Sequence, residues 1–342
     1  MAIEKSTHIS LIKVSVNIEF AVKSSAGILA AFSEQLGVPI VNNRISIPPS
    51  MGNGFIKMVD IEPFFKMVVH HYTLTEDLHI RRLSQPGPSD MISIVFNCYE
   101  VPAGSPDNSA GVLQFFKRNG SSIQISSSIL GKETILPKNM DVNFVAVGIK
   151  ASALAAIIKI ENPNSLVQKI LSGKTTFFFH EHMSVDEKRI IKQISKINEI
   201  EELSSFHYRI KAEELLYLLF RKLLARESLR TSAVNKADIE KMFAIREAIL
   251  ADISIPPKLK DLAKISMMGE GKMKQLFKQI FGDSIYNYYQ KERMQEAAFL
   301  IRQTGLTISD AGYQLGFSNL SHFGRLFEKH FGMSPKKYSY TK

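Results

Sequence analysis

A repeat near the C-terminal end limits the possible folds of this chain more than any other feature. Short groups of residues recur there 50 positions apart with the same residue types in both copies. A single pair of amphipathic helices around a glycine turn occurs in many folds, but two copies joined by one long helix are much less common. The repeat therefore predicts an all-helical C-terminal domain with two related helix pairs. The matching groups are Leu276-Phe277 and Leu326-Phe327, Phe281-Gly282 and Phe331-Gly332, Ser284 and Ser334, and Tyr288 and Tyr338.

The first copy contains a helix with one apolar and one polar face. Its apolar residues follow the i, i+3, i+4, i+7 spacing of a buried helix face, and Gly282 ends the pattern. The polar residues therefore point outward. The inward set is Met273, Leu276, Phe277 and Ile280, and the outward set is Lys272, Lys274, Gln275 and Lys278.

The second copy has the outline of a helix-turn-helix. A short helix ends in a glycine turn at Gly316-Phe317, and Ser318 is predicted to cap the next helix. That helix directs His322 and Arg325 outward. Between the copies, Ser284 is predicted to cap a long helix over residues 285–301, and Thr307 to cap the helix after it.

This arrangement suits double-stranded DNA, because a major groove admits one helix and adjacent grooves on one face recur about 34 Å apart. Two reading helices on one rigid connecting helix could address neighbouring grooves. The charge also favours DNA binding. The net charge is +10, and the segment from residue 236 onward contains 17 lysines and arginines but only 11 aspartates and glutamates. The predicted partner is therefore double-stranded promoter DNA.

Residues 259–338 resemble the DNA-binding domain of the AraC family of bacterial transcription regulators. The resemblance rests on Ile308-Ser309-Asp310, Gly316-Phe317, Phe323, Arg325, Phe327 and Gly332-Met333-Ser334-Pro335. It implies that the first reading helix presents Gly271, Lys274 and Gln275 to base edges, with Lys272 also facing the DNA and Lys278 nearer the phosphates. For the second reading helix it implies base contacts from Ser321, Gly324 and Arg325, and backbone contacts from Ser318, Asn319 and His322.

The first copy departs from the family pattern. The turn at residues 267–271 lacks the usual capping serine, Gly271 stands where a side chain would read a base, and Glu270 repels phosphate. The first reading helix is therefore expected to be the weaker one. Arg325 is expected to carry most of the base specificity, because a guanidinium can bind guanine O6 and N7 together.

The first half of the chain is predicted to be β-rich, because short apolar runs alternate with Gly, Pro, Ser and Asn. Residues 122–126 alternate most clearly, and an early helix is predicted over 21–35. The looser family resemblance upstream implies a cupin-like sandwich that binds a small-molecule effector, whose pocket residues the sequence does not identify. The predicted strands are 8–18, 55–61, 64–74, 91–99, 112–116, 122–126, 142–149 and 176–180.

Two helices are predicted to follow. Ser184 and Glu187 form a capping box before one helix, and a second helix over 208–227 carries a leucine stripe. The stripe could pair with a second copy of the chain or pack on its own sheet. Predicted domains are a sensor at 1–180, a helical dimerisation or packing segment at 181–232, and a DNA-binding domain at 233–342. The leucines are Leu215, Leu216, Leu219, Leu223 and Leu224.

Composition argues for a soluble protein of the cytoplasm and nucleoid. Cys98 is the one cysteine, so no internal disulfide forms, and it is predicted to be a packed core thiol. The N-terminus lacks a leader pattern, and no apolar run approaches the ~20 residues of a membrane helix. His70, His71, His79, His180 and His182 lack the spacing of a metal site, so no cofactor is expected.

The α+β multidomain pattern thus favours a DNA-binding transcription regulator rather than an enzyme. An activator of this kind would also contact RNA polymerase. One alternative is a cupin-type metalloenzyme with an accessory nucleic-acid-binding tail. Another is a ligand-independent partner-binding protein that dimerises through the leucine-rich helix.

Overall fold

A computed structural model describes residues 16–21, 26–83, 90–100, 121–127, 132–226, 234–303 and 306–340. Within these ranges the first half is dominated by two sheets: a seven-stranded sheet in the order β10-β7-β6-β9-β4-β3-β2 and a three-stranded sheet in the order β1-β5-β8. The strands are β1 (Val16–Ala21), β2 (Arg44–Ser46), β3 (Gly52–Glu62), β4 (Phe65–Leu74), β5 (Leu78–Leu83), β6 (Met91–Glu100), β7 (Ser122–Ser127), β8 (Lys132–Leu136), β9 (Asp141–Lys150) and β10 (Phe178–His182).

Most predicted strands in the described ranges are confirmed, and three short strands were missed. The helix predicted over 21–35 is also confirmed, as α1 (Ala26–Leu36). Strands β2, β5 and β8 have no clear sequence signal, because β2 has three residues and charged side chains interrupt the alternation of the other two. The strand predicted at 112–116 and most of the one at 8–18 lie outside the described residues.

The large sheet has a core on each face. On one face Ile123 and Ile125, both fully buried, pack with the helices that follow the sheet, which confirms the alternation predicted for β7. Cys98 is buried in the same core, as predicted. The opposite face of β4, which carries Val68 and Tyr72, packs against α1 and the small sheet. The two faces differ because successive strand residues point to opposite sides.

Four helices lie against the first of these cores. The capping box at Ser184 is confirmed, since its hydroxyl accepts from the backbone of Glu187 while the Glu187 side chain accepts from the Ser184 backbone. The leucine stripe packs within the chain: four of its five leucines are buried against the sheet, and Leu224 is exposed. These helices are α2 (Ala151–Ile158), α3 (Ser165–Ser172), which was not predicted, α4 (Val185–Ile194) and α5 (Ser204–Ala225).

The described C-terminal part is entirely helical, as predicted. It contains two further cores, one around Phe277 and Tyr288 and one around Phe323 and Phe327. No helix among the described residues is long and apolar enough to cross a bilayer. The helices are α6 (Lys236–Ala251), α7 (Leu259–Ser266), α8 (Glu270–Phe281), α9 (Ile285–Gln303), α10 (Ile308–Gln314), α11 (Leu320–Phe331) and α12 (Pro335–Tyr340).

Candidate nucleic-acid interface

Helix α8 is amphipathic in the way the sequence predicts. Met273, Leu276, Phe277 and Ile280 are all buried in the core that α8 shares with α6, α7 and α9. The backbone turns from α7 to α8 at Met267, which has a left-handed conformation. Gly269 stands at the N-cap of α8 without a side-chain hydrogen bond, so the missing serine leaves this helix start without a side-chain cap.

The predicted DNA-facing residues of α8 lie on its outer side. Gly271, Lys272, Lys274 and Gln275 are exposed, and Lys278 is half-buried. Lys272 is not a free cation: its Nζ donates to Asp238 of α6 at 3.2 Å. A methyl group built at Gly271 would have no neighbour within 4 Å, so nothing within the described part of the chain requires glycine there.

Helix α11 begins one residue later than predicted. The side chain of Asn319 accepts from the backbone N–H of His322 at 3.0 Å, so Asn319 is the N-cap and the assignment of this role to Ser318 was wrong. The sequence offers two good capping residues in a row, and the turn places the second at the helix start. The predicted cap at Thr307 is confirmed, because its hydroxyl accepts from the backbone of Asp310.

The outer face of α11 carries the other predicted residues. Phe323 and Phe327 are buried, whereas Ser321, His322 and Arg325 are exposed, as is Ser318 before the helix, and Gly324 is half-buried. Arg325 has no hydrogen bond or ion pair with the described residues. A methyl group at Gly324 would meet nothing within 4 Å. The face around Arg325 is therefore polar and open, and Arg325 has no polar partner in the described part of the chain.

The 50-residue repeat is also a repeat of geometry. Helices α8 and α11 have 12 residues each, and each ends at a left-handed glycine, Gly282 or Gly332. The rings of Phe277 and Tyr288 lie 5.4 Å apart, edge to face, and the matching Phe327 and Tyr338 lie 5.3 Å apart in the same arrangement. Ser284 accepts from the backbone at the start of α9 and Ser334 at the start of α12, so the cap predicted at Ser284 is confirmed.

Helix α9 holds the turn between α10 and α11 through a buried arginine. Arg293 Nε donates to the carbonyl of Leu315 at 2.8 Å, and its guanidinium lies 3.6 Å from the centre of the Phe317 ring. Gly316 has a φ of +76°, and a Cβ there would lie 2.3 Å from the carbonyl oxygen of Ser254. Glycine is therefore required at this turn on two counts.

A second arginine joins the sheet to the end of α8. Arg226 Nε contacts the Glu181 carboxylate at 2.6 Å, Nη2 donates to the carbonyl of His180 at 2.9 Å, and Nη1 donates to the carbonyl of Gln279 at 3.1 Å. A Cβ at Gly282 would lie 2.7 Å from this guanidinium. We call Arg226, Glu181 and the carbonyls of His180 and Gln279 the junction clamp. Sequence reasoning missed it, because a lone arginine after a leucine-rich helix carries no motif.

Buried polar groups continue beside the clamp. Burial and the nearby Glu292 carboxylate raise the pKa of Tyr288 well above its usual value, although Arg246 Nε donates to its hydroxyl at 2.7 Å and opposes the rise. His182 Nε2 lies 3.7 Å from Glu292. Strand β10 thus meets α9 through polar contacts as well as apolar ones. In the ranges that the structure describes, no group of three His, Cys, Asp or Glu side chains could hold a metal ion.

Comparison with known proteins agrees with this geometry. A family profile described as a helix-turn-helix domain matches residues 262–340. The HTH-type transcriptional activator RhaR of Mannheimia succiniciproducens is 26% identical over 160 residues, which are 46% of this chain and 57% of that protein. The probable transcription factor PqrA of Proteus vulgaris is 31% identical over 81 residues, 24% of this chain and 66% of that protein.

One solved structure is a transcriptional regulator from Chromobacterium violaceum with an AraC-type DNA-binding domain. It is 28% identical and covers 31% of this chain and 94% of its own, with a TM-score of 0.29. The matches to the RhaR proteins span about half of their length, 57% in one and 50% in another.

The C-terminal helices and their sequence matches define a domain of the helix-turn-helix class. Within that class, the chain belongs to the AraC family through its C-terminal part, as its sequence resemblance predicts. These relatives are transcription regulators, and the metalloenzyme alternative gains no support from them.

Proposed function

We propose that this protein is a sequence-specific transcription regulator that reads two successive major grooves of promoter DNA with α8 and α11. The observation that carries the proposal is the repeated geometry of these two helices, each with a buried apolar face and an exposed polar one. Helix α9 connects them and is about 28 Å long at ~1.5 Å per residue, close to the roughly 34 Å between adjacent grooves.

The two helices have unequal roles in this proposal. Arg325 reads bases from α11, with Ser321 and Gly324 beside it and with Ser318, Asn319 and His322 near the backbone. Its guanidinium is exposed and unpaired among the described residues, so no internal contact has to break before it binds guanine. On α8, Gly271 offers no side chain, Lys272 donates to Asp238, and Lys274 lies 4.0 Å from Glu270. Lys274, Gln275 and Lys278 are therefore proposed to make contacts of lower specificity.

The β-rich part is proposed to be a cupin-like sensor for a small molecule. In this division residues 1–180 sense, 181–232 pack or dimerise, and 233–342 read DNA. The junction clamp supports control of α8 by the sheet, because Arg226 bonds to β10 and α8 with one guanidinium. A ligand that shifts β10 would change the population of chains in which α8 is held for binding.

A homodimer through α5 is also proposed, but through exposed apolar residues, of which only Leu224 belongs to the leucine stripe. Four of the five leucines are buried, so they are not available to a second chain. Leu203, Ile210, Tyr217 and Leu224 are exposed by 70%, 45%, 61% and 39%, and they recur every seven residues. Residues spaced by seven supply one of the two apolar positions in each heptad through which paired helices pack. If the protein activates transcription, RNA polymerase is a further partner, in the cytoplasm at the nucleoid.

The test is a titration of the full chain against fragmented genomic DNA at several salt concentrations, with sequencing of the bound fragments. We expect a recurring site with two half-sites about one helical turn apart, and an affinity that falls steeply with salt. Binding without any sequence preference would contradict the proposal, and so would a site confined to a single groove.

A further inference from the structure

Arg82 lies on a face of its strand where an apolar side chain is expected. Strand β5 directs Leu78 and Ile80 into the core between the two sheets, and Arg82 is the next residue on that side. Its neighbour Arg81 points the other way, where it is exposed and pairs with Glu19 at 3.3 Å. Two adjacent arginines are thus in opposite environments, one in solvent and one between the sheets.

Arg82 has one neutral partner and no counter-charge among the described residues. Its Nη1 donates to the Ser93 hydroxyl at 3.0 Å, while its Nε is buried without an acceptor. Burial lowers the pKa of Arg82 from its usual value, and no opposing charge offsets this effect. Buried charges in proteins are normally paired and fully hydrogen-bonded, because removing an unpaired charge from water is costly.

The Nε edge of the guanidinium is the one at which a carboxylate would bind. Nη1 is occupied by Ser93, which leaves the Nε side, and an arginine can bind both oxygens of a carboxylate along one edge. A hydroxyl alone cannot supply the missing negative charge. A bound carboxylate would supply both the charge and the acceptor.

The residues around Ser93 on the large sheet are small. The cross-strand neighbours of Ser93 are Ser126 and Gly148, so three small residues lie side by side on the inner face of the large sheet. A Cβ built at Gly148 would meet only the terminal methyl of Met91, at 4.0 Å. Two residues along β6, Val95 pairs with Ala146, and both are partly buried in the apolar core. The lining is therefore polar at Arg82 and apolar next to it.

We infer that Arg82, with Ser93 and Ser126, forms a binding site for the carboxylate of a small organic acid whose apolar body lies over Val95 and Ala146. The claim that this acid is the effector rests on the proposed regulatory function, whereas the binding site itself does not. Position supports a regulatory role, because Ser126 pairs with Phe178 of β10, and the Phe178 ring contacts Phe243 of α6 at 5.4 Å. The site is one strand away from the strand that carries the junction clamp.

The test compares acetate, hexanoate and benzoate with their amides, acetamide, hexanamide and benzamide, at constant ionic strength. Thermal unfolding of the full chain is followed by circular dichroism over a range of each compound. We expect at least one carboxylate, and not its amide, to raise the unfolding midpoint. The affinity should fall roughly tenfold or more in Arg82→Gln, since a hydrogen bond to a charged group contributes about 1.5–3 kcal/mol.

Arg81→Gln is the matched control, because it removes a positive charge from the adjacent, solvent-facing position and should respond to carboxylates as the unchanged protein does. Equal responses to all three acids and their amides would overturn the inference, and so would an undiminished response in Arg82→Gln. A second readout needs no ligand: Arg82→Met should unfold at the same temperature or higher, because it removes an unpaired buried charge. A clear loss of stability in Arg82→Met would instead show a structural role.

DNA titration of the same samples without any acid separates this inference from the proposed function. Specific DNA binding without a carboxylate response would contradict the carboxylate site and support the proposed regulator. A carboxylate response that depends on Arg82, in a chain without specific DNA binding, would support the site and contradict its role as a sensor.

Discussion

Arg226 and Glu181 form an ion pair at 2.6 Å, with side chains only 9% and 15% exposed, at the place where the sheet meets α8. The same guanidinium donates to backbone carbonyls on both sides, at His180 and at Gln279. A group that bonds two elements at once resists their separation. The pair therefore connects the β-rich part physically to the helix that contains Lys274 and Gln275.

Replacing Arg226 by alanine should destabilise the protein by about 3 kcal/mol, because the Glu181 carboxylate would remain buried without a partner. The free energy of unfolding from urea titration measures this, and adding Glu181→Gln should recover part of the loss. Arg209→Ala is the comparison, since Arg209 pairs with Glu62 and Glu213 at an exposed site and should matter much less. Similar losses in both variants would mean that the clamp has no special role.

Arg325 and Lys278 should fail in different ways when replaced. Arg325→Ala should reduce the preference for the cognate site by about 1–3 kcal/mol while leaving nonspecific binding nearly intact. Lys278→Ala should weaken binding to all sequences. It should also reduce the slope of the logarithm of the binding constant against the logarithm of the salt concentration by about one. Competition titrations at several salt concentrations measure both quantities. An Arg325 variant with unchanged discrimination would show that another residue reads the bases.

Two glycines of the reading helices and their turns should respond oppositely to alanine. Gly316→Ala should cost roughly 2 kcal/mol or more, because the residue has a left-handed backbone and a Cβ would overlap Ser254. Gly271→Ala should stabilise the protein by up to about 1 kcal/mol, because α8 is helical there and the space is open. Chemical unfolding of the two variants checks the signs, and a neutral Gly316→Ala would disprove the required turn.

The two ends of the chain differ in how much of their structure can be predicted from the sequence. The C-terminal helices were predictable because their signals are local: an apolar period, a cap and a terminal glycine, each repeated 50 residues later. The position of the N-cap of α11 was not predictable, because Ser318 and Asn319 are equally good capping residues and only the turn geometry selects one. The junction clamp was unpredictable, because it depends on contacts between elements far apart in sequence, such as Arg226 with Gln279. The burial of Arg82 was unpredictable, because it depends on how the two sheets pack.

The exposed apolar repeat of α5 predicts self-association. Tyr217→Asp should convert a dimer to a monomer, because a charge would be buried between two helices, and it should leave the fold intact since Tyr217 is 61% exposed. Sedimentation velocity with and without DNA measures the mass. Val185→Asp, at another exposed apolar position, is the control and should leave the mass unchanged. If the unchanged protein is monomeric at micromolar concentration, the predicted dimer does not form.

His70 should make the protein sensitive to acid. It is fully buried against Phe32, Tyr72 and Phe144, its ring nitrogens have no partner within the described residues, and burial lowers its pKa to about 3. The unfolded chain takes up a proton at this histidine below about pH 6.5, whereas the folded chain does not until about pH 3. The contribution of His70 to the free energy of unfolding is therefore fully present above about pH 6.5. It is lost as the pH decreases from 6.5 towards 3, by about 2 kcal/mol at pH 5.

His70→Phe should remove this part of the acid sensitivity, because phenylalanine keeps the stacked ring and cannot take up a proton. The free energy of unfolding, measured between pH 7.5 and 5, should decline less steeply in His70→Phe than in the unchanged protein. His207→Phe, at an exposed position of α5, is the control and should retain the full slope. Parallel curves for His70→Phe and the unchanged protein would show that His70 is protonated equally in the folded and unfolded states, in contradiction to its burial.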